Sequence, residues 1–121
     1  MISYQTKTAF EIRNFLLAKE TLIVELIQLA KAEVHDEPLI INQYGVLKSL
    51  LRREKDFSNK ARVKKNATPT EEQILFPVVN ELYQILKVPV RGKINQFFIE
   101  TLESALAVTR SYLNKIPHAD L

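Results

Sequence analysis

The sequence has no cysteine, no tryptophan, one methionine and two glycines in 121 residues. Without cysteine it has no disulfide framework, no thiol nucleophile and no thiolate metal site. The two glycines, Gly45 and Gly92, leave nothing for a glycine-rich phosphate loop or a turn-rich β fold. Long apolar runs are missing too. The longest, Ile74 to Val79, contains Pro77 and falls far short of the ~20 apolar residues a membrane span requires. The first residues are polar, with no secretory pattern, and Pro117 to Leu121 matches no lipidation or retention tag. These absences predict a cytoplasmic protein with no membrane partner.

With 46% hydrophobic and 26% charged residues, the chain is too apolar to stay disordered. Its length suits one domain covering residues 1–121. The apolar residues recur at helical spacing in four places, and no segment alternates as a half-buried strand would. A first helix is predicted over about 8–34, with Ile12, Phe15, Leu16, Leu22, Ile23, Leu26, Ile27, Ala30 and Val34 on one face. The run His35 to Pro38 stops it, because the residue before a proline is pushed out of the helical region. A second helix is predicted over about 39–57, with Ile40, Tyr44, Leu47 and Leu51 inward and Leu50 and Phe57 on adjoining rows. Gly45 lies inside it at a cost of about 1 kcal/mol relative to alanine.

Residues 58–67 show no apolar period and read as a basic connection. Thr68-Pro69-Thr70-Glu71 then opens a third helix over about 69–87: Thr68 is the N-cap, Pro69 the first helical residue and Glu71 the reciprocal member of a capping box. Pro77 either kinks this helix or splits it, giving four or five helices in all. A fourth helix is predicted over about 93–115. Four amphipathic helices with short links predict an all-α fold, an antiparallel four-helix bundle.

Chemistry-bearing patterns are few. His35, Asp36 and Glu37 are consecutive at a helix end and point in different directions, while His118 and Asp120 belong to the tail. Glu71 and Glu72 sit in a first helical turn, where acids favour the helix dipole. The Glu-x-x-His pairs of a di-iron bundle are absent, as are nucleophile, P-loop and dinucleotide signatures. No catalytic group, metal or cofactor is expected.

Charge is uneven. Lys48, Arg52, Arg53, Lys55, Lys60, Arg62, Lys64 and Lys65 face only Glu54 and Asp56 across residues 48–65, a local net of +6 in a chain of net +3. This segment suits an acidic protein partner through charge complementarity, or alternatively a nucleic-acid backbone. Only Phe57 offers it an aromatic face for base stacking, which weakens the nucleic-acid alternative. A second apolar stripe, Phe10, Leu17 and Val24, repeats every seven residues on the first helix, away from its main seam. It is a candidate interface for a homodimer or a partner helix. Phe97 and Phe98, with a kink at Pro77, offer a place for an apolar ligand. The leading expectation is a non-enzymatic bundle acting by protein–protein interaction, in the manner of a small adaptor, inhibitor, antitoxin or immunity protein.

Overall fold

The computed structural model of the chain describes residues 7–64, 67–87 and 94–116, the side chains at 61–64 excepted. Four helices form a bundle: α1 (Ala9–Lys31), α2 (Glu37–Lys64), α3 (Phe76–Ile85), entered through a π-helical turn at Glu71–Leu75, and α4 (Gln96–Leu113). Among the described residues there is no strand. Helix α1 packs against α2 and α4, and α3 packs against the same two, so the four close into a ring. Contacts across the ring show the antiparallel sense. Glu20 of α1 meets Arg110 of α4 while Lys31 meets Glu103, and Tyr44 of α2 meets Leu86 while Lys55 meets Tyr83.

The start of α1 uses the same device predicted for the third helix. Thr8 Oγ1 accepts from the Glu11 amide at 3.2 Å, and Glu11 Oε1 accepts from the Thr8 amide at 3.2 Å. The helix stops at Lys31, three residues before its predicted end, because Ala32 turns to an extended conformation (φ −63°, ψ 148°). His35 Nε2 lies 2.8 Å from the Ala30 carbonyl and donates to it, satisfying one orphan acceptor of the last turn. Val34, predicted on the buried face, is therefore 86% exposed.

The segment read as a stop for α1 is the start of α2. Asp36 Oδ1 accepts from the Leu39 amide and its carbonyl from the Ile40 amide, and Pro38 sits in the first turn, where no amide donor is needed. Helix α2 also runs seven residues beyond its predicted end, through much of the supposed connection. The buried seam continues at helical spacing as Leu47, Leu51, Glu54 and Ser58. Its last two members are polar, so the apolar period vanishes while the helix persists. Ser58 Oγ donates to the Glu54 carbonyl at 2.9 Å, and no proline intervenes before Pro69.

The Thr68 capping box forms as predicted: Glu71 Oε1 accepts from the Thr68 amide at 2.9 Å, and Thr68 Oγ1 accepts from the Glu71 amide at 3.2 Å. Pro77 does not divide the helix. The Phe76 amide bonds to the Glu71 carbonyl, five residues back, so a widened turn precedes the proline and the helix stays continuous. The core is apolar, built from residues such as Leu16, Ile23, Leu47, Phe76, Leu82 and Leu102, all fully buried or nearly so. Tyr44 reaches across it, donating to the Leu86 carbonyl at 3.0 Å and meeting Phe98 edge-on at 5.1 Å.

Candidate interaction surface

The cations singled out in the sequence lie along α2. Arg52, Arg53 and Lys60 are exposed, while Lys48 and Lys55 are half-buried. Three of them lean on aromatic rings: Lys48 Nζ is 5.3 Å from the Tyr44 centroid, Arg53 Cζ 5.7 Å from Phe57, and Lys55 Nζ 4.1 Å from Tyr83. None of the five forms an ion pair with a described residue. Arg62 and Lys64 fall on the last turn of α2, with side chains outside the described set, and Lys65 lies outside the described residues.

Of the two acids in this stretch, Glu54 is not at the surface. It is buried, with Lys7 Nζ 2.9 Å from its Oε1. That oxygen takes no aligned hydrogen bond, so the contact is coulombic. The exposed charge of α2 is therefore more positive than the residue count implies, with Asp56 as the remaining exposed acid between Lys48 and Lys60.

Beside the cations runs an apolar row that sequence reading missed. Ile41 is 49% exposed and Val46 46%, and Leu39 and Leu50 are also open to solvent. Between α2 and the end of α3 lies a groove of about 570 Å³, walled by Ile41, Tyr44, Tyr83 and Leu86 and flanked by Lys48, Arg52 and Lys87. No acid lines it. Gly45 is exposed at its outer rim, and a Cβ added there would meet no described atom within 4 Å. No described residue lies close enough to require a glycine at this point. The signal available in the sequence was that glycine, inside a helix whose other residues suit one.

The stripe predicted on α1 is divided. Phe10 is 58% exposed, whereas Leu17 and Val24 are half-buried. Leu17 lines a shallow cleft against α4 with Arg110, Leu113 and the Glu20–Arg110 ion pair, whose Nε–Oε2 distance is 3.0 Å. Glu20 and Lys31, which separate this stripe from the main seam, are both paired with α4. The structure thus places the seven described basic positions on α2 and the three stripe positions on α1 and does not bring them together.

Phe97 and Phe98 do not act as a pair: Phe98 is core and Phe97 faces solvent. A buried polar cluster joins α1, α2 and the start of the third helix. Glu71 is fully buried, its Oε1 taken by the Thr68 amide and its Oε2 by the Lys7 amide at 3.2 Å. Lys19 is buried over the Phe15 ring at 4.5 Å, and burial pushes its ammonium below the usual lysine range, an effect partly offset by the Glu54 charge. These groups join elements, and the Glu71 oxygens are both occupied. Among the described residues no three His, Asp or Glu side chains converge as a metal site would need. No described helix is long and apolar enough to cross a membrane. Compared with protein families, characterised proteins and solved structures, the chain matches none.

Proposed function

We propose that the protein acts by binding another protein, one with an acidic surface, through the exposed face of α2. The observation that carries this reading is the set of α2 cations without a carboxylate partner among the described residues, set beside exposed apolar side chains. Charge selects and steers such a partner, and the apolar row supplies contact area that a phosphate backbone would not use. The nucleic-acid alternative is served by the cations with the half-buried Phe57 and Tyr83 beside them, and it leaves the exposed Ile41, Val46, Leu39 and Leu50 without a role.

The test is affinity capture from a lysate of the cells that make the protein, identification of the captured protein, and titration of that protein against the wild type and the Arg53→Glu/Lys60→Glu variant. The expected result is an acidic partner whose affinity falls about 100-fold in the variant, as removal of two complementary charges with like-charge repulsion implies. A 30-base-pair duplex in the same titration should bind weakly and to the same extent as to any basic surface of this size. Tight duplex binding lost in the variant, with no charge-dependent protein partner, would replace the reading with the nucleic-acid one.

A further inference from the structure

The crest of α2 carries a second message, independent of any acidic partner. At 3.6 residues per turn, Asn42, Gly45 and Ser49 run along its outermost line. On the shoulder toward α3 lie Glu37, Ile41, Lys48 and Arg52, and on the opposite shoulder Leu39, Val46 and Leu50. Apolar side chains thus flank a line of small or short residues, an arrangement that lets a second helix approach closely where Gly45 has no side chain.

Charge along the same helix is polarised. Exposed Asp36, at its cap, and Glu37 are at the start, and its exposed cations begin at Arg52, with the exposed Asp56 the one acid among them. A parallel neighbour would set like charges together. An antiparallel copy sets opposite charges together. With a two-fold axis at Gly45, each shoulder meets its own copy in reverse: Glu37 comes beside Arg52 of the second copy, Leu39 beside Leu50, and Val46 beside Val46. Glu37 then enters the groove flanked by Lys48, Arg52 and Lys87, which holds no described acid of its own.

We propose that the chain self-associates as an antiparallel α2–α2 homodimer centred on Gly45. Residues beyond Arg53 project past the second copy's α2 by roughly 16 Å at 1.5 Å per residue. Lys60 and the basic end of α2 are left at both extremities, so the dimer covers the apolar row and leaves the basic end of the surface proposed above open, in two copies, for an acidic partner.

Sedimentation velocity of the full chain over a concentration series tests this. The wild type is expected to move from 14.0 kDa to twice that mass as concentration rises. Gly45→Trp is expected to remain monomeric with unchanged helical circular dichroism, since its side chain projects into open space. Glu37→Arg and Arg52→Glu are each expected to weaken the dimer at least about tenfold, and the double charge swap to recover most of that loss. Gly45→Ala serves as the folding control and should melt no lower than the wild type. A wild type monomeric at every concentration overturns the proposal. So does a dimer that survives Gly45→Trp, or one broken by Leu17→Glu instead, which would move self-association to α1. Loss of the acidic partner in Arg53→Glu/Lys60→Glu with an intact dimer leaves this inference standing, so the two readings fail separately.

Discussion

Replacing Glu54 by alanine is expected to destabilise the fold by about 3–5 kcal/mol, the range for removing one member of a buried ion pair. Glu54 is the carboxylate facing two lysines. Lys7 Nζ lies 2.9 Å from it with a quarter of its side chain exposed, and Lys19 is buried and already held below the usual lysine range. Without Glu54, Lys19 keeps its desolvation and loses the charge that offsets it. The partial exposure of Lys7 places the expected value toward the lower end, since water recovers part of its hydration. Urea denaturation at neutral pH measures the loss. The mechanism has a specific signature: adding Lys19→Met to Glu54→Ala should restore much of the stability, because the uncompensated buried cation is then gone. If Lys19→Met adds its own loss instead, Glu54 acts through packing and not through charge.

The second large effect concerns alkaline pH. Burial pushes the phenol of Tyr44 up to about 12 from an ordinary value near 10, in a side chain almost wholly enclosed beside Phe98 and bonded to the Leu86 carbonyl. The folded value is raised, so the stability it contributes is complete below pH 10, where both states keep the proton. It is lost as pH climbs from 10 to 12, where the unfolded chain releases the proton first. Two pH units correspond to about 2–3 kcal/mol. Denaturation midpoints should fall steeply across that window. Tyr44→Phe should begin about 1 kcal/mol lower at pH 8, having lost the bond to Leu86, and should show a visibly shallower fall. An unchanged slope in Tyr44→Phe would assign the alkaline loss to other groups.

The fold was readable where its signals were apolar or followed a capping pattern. Ile12, Leu16, Ile23 and Leu26 mark α1, Ile40, Tyr44, Leu47 and Leu51 mark α2, and Thr68 with Glu71 marks the third helix start. Thr8 and Glu11 carry the same capping pattern, which could be read with equal force. What was not readable had a common cause: polar residues doing structural work. Glu54 and Ser58 continue the α2 seam inside the core, so the seam lost its apolar signal and the helix beyond 57 looked like a solvated connection. Asp36 looked like part of a stop because its role as a cap depends on which helix it faces. Pro77 was legible as a disturbance, but its accommodation by a π-helical turn depends on backbone bonding that no residue pattern encodes.

The surface was legible in its charge and not in its geometry. The basic positions could be counted, yet the loss of Glu54 to the interior, which sharpens their imbalance, follows only from packing against α1. The apolar shoulder of Leu39, Val46 and Leu50 was hidden among residues that a bundle helix uses to face its neighbours. The α1 stripe stood out because it repeats every seven residues, but two of its three members are half-buried.

On the proposals above, the protein meets its partners at the outer face of α2, beginning with a second copy of itself. Because the chain has no cysteine, single-cysteine variants report position without interference. Val46→Cys and Leu17→Cys, each treated with a short bis-maleimide at a concentration where the wild type self-associates, compare the two candidate faces directly. Covalent dimer is expected from Val46→Cys and little or none from Leu17→Cys. Dimer from Leu17→Cys alone, or from neither, would contradict it.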